Sequence, residues 1–172
     1  MNYIETKPNS NRFINLDQVG QILLNKDNNR ILFNFSNLVE KKNSESGIFL
    51  PSFHYVEFDD QDSALNELKR YIKEATNRNL PIFVFSCEKY IRVINFDNVN
   101  SFYIKSEFGK SFIFINFNSS ISFGDKELVE HSIRIDDVEI NILNEFCDFL
   151  KSQNIGWKIT PLFLMGVKFN TN

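Results

Sequence analysis

The sequence predicts an α+β, strand-rich fold made by internal duplication, with two β-β-β-β-α-β units packed into one compact pseudo-symmetric domain. Three observations carry this. Ile14-Asn15-Leu16-Asp17-Gln18-Val19 recurs as Ile94-Asn95-Phe96-Asp97-Asn98-Val99, with four of six positions identical. The echo continues downstream: Phe33-Asn34-Phe35 matches Ile115-Asn116-Phe117, His54–Asp60 matches His131–Asp137, and Pro81–Phe85 matches Pro161–Met165. The alternation of apolar residues also repeats, since Ile14, Leu16, Ile22 and Leu24 correspond to Ile94, Phe96, Phe102 and Ile104. The expected spans are a polar lead-in (1–12), unit one (13–85), a connector (86–92), unit two (93–165) and a tail (166–172).

In chain order, the first eleven residues read as a loose lead-in, with Tyr3-Ile4 able to add a short strand. Phe13–Leu16 and Val19–Leu24 read as strands joined by a tight turn at Asp17-Gln18, matched by Asp97-Asn98; an Asp side chain can accept a backbone N–H two residues on. Ile31, Phe33 and Phe35 share one face of the next strand. Its counterpart, 112–117, is apolar on both faces and reads as a central, doubly covered strand. Polar loops are expected at Glu40–Ser46 and Asn118–Ser120. The fourth strand places His54, Val56 and Phe58 on one side, as His131, Ile133 and Ile135 in the other unit. Helices follow, capped by Asp59 or Asp60 and by Asp136 with Glu139. The first buries Leu65, Leu68, Ile72 and Ala75, the second Ile142, Leu143, Phe146, Phe149 and Leu150. A Pro plus four apolar residues then opens a short strand after each helix.

A chain of 172 residues with 19 Phe has ample bulk for one shared core, whereas each unit alone would be marginal. Net charge is −3 and both halves are balanced, which disfavours nucleic acid as a partner. Cys147 lies among apolar helix positions and reads as a buried free thiol rather than half of a disulfide with Cys87. No basic-then-apolar leader opens the sequence, and the longest apolar runs are far too short to span a bilayer. A reducing cytoplasm and no membrane are the expectation. The richness in Asn, Ile, Phe and Lys is that of AT-rich coding, as in a microbe or its virus.

The candidate residues fall into five groups. His54 and His131 share one repeat position and suit a ligand or proton-carrying role, against the simpler reading of histidines at a core margin. The acidic clusters Glu57–Asp62 and Asp136–Glu139 have the residue types of a Mg²⁺ site, but their place at helix starts is what capping alone requires. Lys69, Arg70, Lys73, Arg78, Lys89 and Arg92, with Tyr71 and Tyr90, form the most basic region, whose simpler reading is a solvated helix face. Asn15, Asn34, Asn95 and Asn116 recur in strands, where Asn is depleted, and could line a polar groove. Trp157, Phe163 and Met165 form an aromatic C-terminal run, a last core strand or an edge offered to a partner.

Six glycines form neither a phosphate loop nor a dinucleotide fingerprint, and no nucleophile elbow or Cys-x-x-Cys is present. The sequence therefore disfavours catalysis and implies no cofactor and no metal. Its leading reading is a non-enzymatic protein-binding module of the inhibitor, immunity or assembly-adaptor type. It would meet one protein partner through an edge strand or aromatic surface, with Trp157, Phe163 and Met165 as contacts. Duplication adds either two equivalent contact sites or a homodimer. The alternative is a small-ligand or nucleotide binder using a groove between the units, walled by His54, His131, Asn15 and Asn95. A metal-dependent hydrolase built on the acidic clusters ranks last.

Overall fold

Apolar side chains at every second residue build the larger sheet. The computed structural model describes the backbone over residues 3–40, 49–107, 110–123 and 126–155, and side chains over 3–36, 53–105, 110–117 and 132–155. Among these residues the fold is mixed α+β and strand-rich, with three sheets and two α-helices. The chain forms two compact units: Met1–Ser101 with Asn116–Ser132, and Phe102–Ile115 with Ile133–Asn172.

In the first unit, β1 (Tyr3–Glu5) pairs antiparallel with β2 (Phe13–Asn15). Next come β3 (Val19–Asn25), β4 (Arg30–Glu40), β5 (Phe49–Glu57), helix α1 (Gln61–Asn77), β6 (Ile82–Ser86) and β7 (Tyr90–Asn95). The five longer strands make one antiparallel sheet in the order β5-β4-β3-β7-β6. Its register aligns Val56 with Ile31, Ile31 with Leu24, and Leu24 with Ile91, so one face is apolar across four strands. Helix α1 covers that face with Ala64, Leu68, Tyr71 and Ala75, all buried.

The helix starts where Asp60 accepts the Ser63 N–H at 2.7 Å, and it stops where Asn79 turns left-handed (φ 56°) ahead of Leu80 and Pro81. Helix α1 also holds the N-terminal segment. The Tyr71 hydroxyl donates to the Thr6 carbonyl, and Arg70 Nη2 donates to the Glu5 carbonyl at 2.6 Å. Ile4 and Thr6 are buried. Tyr3–Glu5 thus form the short strand that Tyr3-Ile4 could add, anchored with Thr6 to α1.

The remaining strands, β8 (Val99–Glu107), β9 (Lys110–Phe123) and β10 (Lys126–Ile135), make a sheet in the order β10-β9-β8. Strand β9 is central, and it buries Phe112 on one face and Ile113, Ile115 and Phe117 on the other, as its doubly apolar sequence requires. In the second unit, α2 (Ile140–Ser152) buries Leu143, Phe146, Cys147 and Leu150, and Phe146 meets Phe102 edge-on at 5.6 Å.

Three local expectations are corrected. Residues 118–120 continue β9 instead of forming a loop. In both tight turns the acceptor is the Asn before the Asp. Asn15 Oδ1 accepts from Asp17 N, and Asn95 Oδ1 from Asp97 N, each at 3.1 Å over a 3₁₀ turn. Helix α2 has no side-chain cap: Asp136 pairs with Arg134, Asp137 pairs with Lys110, and Glu139 occupies the cap position without bonding. Glu40 belongs to β4, while 41–46 of the expected first loop and the strand expected at Pro161–Met165 lie outside the described residues.

Gly20 in β3 lies under the Phe117 ring: a Cβ there would come within 2.7 Å of Cδ1 and 2.9 Å of Cε1. Phe117 is 1% exposed, so its ring is enclosed by the surrounding protein. Gly20→Ala should therefore cost about 1–3 kcal/mol in chemical denaturation, and Gly20→Ala combined with Phe117→Leu should cost less than the sum of the two single changes.

Candidate functional site

The site is the outer edge of β5. Its register with β4 pairs Arg30 with Glu57 and Phe33 with His54, and the next pair closes with Phe58 N–H donating to Asn29 O at 3.1 Å. In an antiparallel ladder, bonded and non-bonded pairs alternate. Phe58, Val56 and His54 therefore bond to β4, and Phe53, Tyr55 and Glu57 turn their N–H and C=O groups outward. Glu57 fits this, since its carbonyl accepts from Lys7 Nζ at 3.5 Å. Among the described residues no strand pairs with this edge.

The same outward residues carry large exposed side chains. Phe53 is 58% and Tyr55 48% exposed. Their face is opposite the one that α1 covers, because side chains alternate along a strand. The Arg30 guanidinium sits 4.6 Å from the Tyr55 ring centroid and pairs with Glu57, holding the Tyr55 ring against the sheet. On the core side of β5, His54 is half-buried and stacks on Phe33 at 6.4 Å between ring centroids. Burial first, and the Arg12 guanidinium second, hold its imidazole below the ordinary value of 6.5.

The other sequence candidates take structural roles. Asn15 and Asn95 spend their side-chain oxygens on the two turns. Asn95 is buried, leaves Nδ2 unbonded, and lines a cavity of about 10 Å³ with Leu16, Val19 and Ile22. That is room for one water. His131 lies in β10, with its side chain outside the described residues. Trp157, Phe163 and Met165 are also outside them.

Asp60 caps α1, and the Ser63 backbone and hydroxyl bonds hold its carboxyl below the usual range. Tyr71, read as a surface ring in the basic region, is fully buried against Phe33. Arg70 pairs with Glu67, Arg78 with Glu74, and Arg92 donates to Gln21 Oε1 at 3.1 Å. The three arginines of the basic region are therefore engaged. Cys147 is a buried free thiol whose pKa burial pushes up.

Sequence reasoning missed three residues. Asn98 is buried and donates to the carbonyls of Asp17 and Val19 at 2.8 and 3.2 Å, tying one 3₁₀ turn to the other. Phe53 and Tyr55 had a readable signal. Once His54, Val56 and Phe58 are assigned to the core, the alternation leaves two aromatic rings on the opposite side of the same strand. No family model matches this chain, and no curated protein or solved structure matches it either.

The His54 environment gives a pH dependence. Its folded pKa is depressed, so its contribution to stability is complete above pH 6.5 and is lost as pH falls through that value toward the folded pKa. Urea midpoints between about pH 7.5 and 5.5 should fall more steeply for the natural chain than for His54→Gln; parallel slopes would contradict this.

Proposed function

We propose that this chain is a non-catalytic protein-binding module that takes an extended segment of one partner protein along the outer edge of β5. The observation that carries the reading is the coincidence, in Phe53 and Tyr55, of outward backbone groups and exposed aromatic side chains. Strand addition needs both: main-chain bonds supply affinity, and alternate side chains supply specificity.

The internal duplication belongs to the same proposal, and three observations favour it. Both 3₁₀ turns have nearly the same entry geometry, with Asn15 at φ −90°, ψ 109° and Asn95 at φ −93°, ψ 111°. The order β2-β3-β4-β5-α1 is followed by β7-β8-β9-β10-α2. Tyr3 pairs with Asn15 as Ile82 pairs with Asn95, so β1 borders β2 in the register in which β6 borders β7. On that alignment Phe53 and Tyr55 fall opposite the polar residues Glu130 and Ser132, which is consistent with the two rings serving something other than folding.

The small-ligand alternative finds less support, because the Asn95 cavity is water-sized and the Asn15 and Asn95 oxygens are committed. In solution, Phe53→Ser/Tyr55→Ser should keep the thermal midpoint within about 4 °C of the natural chain, as expected for surface changes. It should also abolish co-purification of the partner, and in the natural complex the Phe53 and Tyr55 amides should be protected from hydrogen exchange. Retention of the partner by this variant, or its loss on Trp157→Ala/Phe163→Ala alone, would remove β5 as the site.

A further inference from the structure

Resting on that reading, we propose that the extended segment received by β5 is β5 of a second copy of this chain, laid antiparallel about a two-fold axis at His54. The open edge complements itself. Its outward backbone groups belong to Phe53, Tyr55 and Glu57, and by the same alternation to Pro51. Pro51 lies in β5 with Leu38 of β4 as its neighbour. A proline has no N–H to give to an adjoining strand, so within a sheet it is tolerated on the open side of an edge. At the other end, the Glu57 carbonyl already has Lys7 Nζ as its donor at 3.5 Å. The edge therefore lacks one donor, at Pro51, and has one acceptor that needs none, at Glu57.

Antiparallel pairing about His54 sets these two against each other. Phe53 then lies opposite Tyr55 of the second copy, and Tyr55 opposite its Phe53, and each such pair exchanges both N–H···O=C bonds. Pro51 of the second copy comes level with Glu57, where it brings no N–H to a carbonyl that Lys7 serves, so the bonded stretch starts short of Glu57 at both ends. Shifted registers fail. Centring on Phe53 sets Pro51 against Tyr55 and leaves the Tyr55 carbonyl without a donor. Centring on Tyr55 sets Phe53 against Glu57, whose carbonyl Lys7 already occupies.

The side chains and charges agree with the same axis. Phe53 and Tyr55 of both copies form one aromatic cluster, since opposed and diagonal neighbours are within reach across a ladder. On the other face the two His54 rings meet at the axis. Burial first, and Arg12 second, hold that imidazole below the ordinary 6.5, so above that pH no like charges are opposed there. Lys7 and the Arg30–Glu57 pair stand at the Glu57 end. Antiparallel pairing separates the two such ends by about 20 Å, beyond the screening length at physiological salt. Parallel pairing in register would set Lys7 beside Lys7.

Sedimentation equilibrium of the full chain at about pH 7.5 should show a reversible monomer–dimer equilibrium, and Phe53→Ser/Tyr55→Ser should weaken it at least about thirtyfold. Disulfide trapping reads the register, in a Cys87→Ser background because Cys87 is an exposed thiol. Residues directly opposed across the axis lie within disulfide reach and diagonal ones do not. His54→Cys should therefore cross-link to itself under mild oxidation. Phe53→Cys and Tyr55→Cys should each stay uncross-linked alone and cross-link when mixed. A dimer that survives Phe53→Ser/Tyr55→Ser, or that traps at Phe53→Cys alone, would overturn the proposed axis. A chain still monomeric at about 1 mM would overturn the second copy as occupant. Protection of the Phe53 and Tyr55 amides by another protein would then leave the edge reading intact, and its absence would overturn both.

Discussion

Everything in the first unit depends on β7 lying between β3 and β6. The pairing runs from Gln21 with Ile94 to Asn25 with Tyr90, and Ile82 with Asn95 closes the other side. This inserts a strand that follows the helix into the middle of a sheet begun before it. Val93, 2% exposed, then joins Ile22, Leu24, Ile31 and the partly buried Val56 under α1, so the helix has a floor four strands wide. A sheet has two ends, and with β3 enclosed by β7 and β4, β5 is left at one of them. The open edge is therefore a consequence of the strand order. It does not depend on any one residue near it.

An open edge is a hazard, because unpaired N–H and C=O groups template pairing with other chains. This edge is partly guarded. Lys7 occupies the Glu57 carbonyl, and Arg30 and Glu57 bracket Tyr55 with charge. The guard stops at Tyr55, and Phe53 beyond it is the more exposed ring. A fold selected only against aggregation would place polar groups at these two outward positions, since neither ring contributes to the core that α1 covers. On the proposed reading, an edge guarded at its Glu57 end and aromatic beyond it would take a strand that starts short of Glu57.

Much of this was legible in the sequence, and what was not has physical causes. Period-two alternation located Ile22, Leu24, Ile31 and Phe33, all buried, and the helical spacing located Leu68 and Ala75. The Asp60 cap was readable because capping is a contact three residues long. The α2 cap failed because Asp136, the expected cap, pairs with Arg134 two residues before it, and Glu139 stands at the cap position without a side-chain bond. Tyr71 looked like a surface residue because its partner, the Thr6 carbonyl, is supplied by a strand 65 residues earlier. The candidate site was missed for the same kind of reason. Which strand ends up at the sheet edge is set by long-range pairing, and the pairing of β3 with β7 leaves no local trace in either strand.

The proposed duplication sharpens the contrast between what the fold needs and what it carries. Positions that serve the scaffold agree between the copies: Asn15 and Asn95 make the same turn, and Leu24 and Ile104 hold the same place in the pattern. Where the copies diverge, one of them has been released from that shared constraint. Gln18 is exposed, whereas its counterpart Asn98 is buried and bonded to two carbonyls, a divergence the fold itself explains. Phe53 and Tyr55 against Glu130 and Ser132 diverge in the opposite sense, toward exposed aromatic side chains, of which Tyr55 is held by Arg30. Aromatic surface on a strand edge costs solubility, and that cost is the physical reason for proposing a partner there.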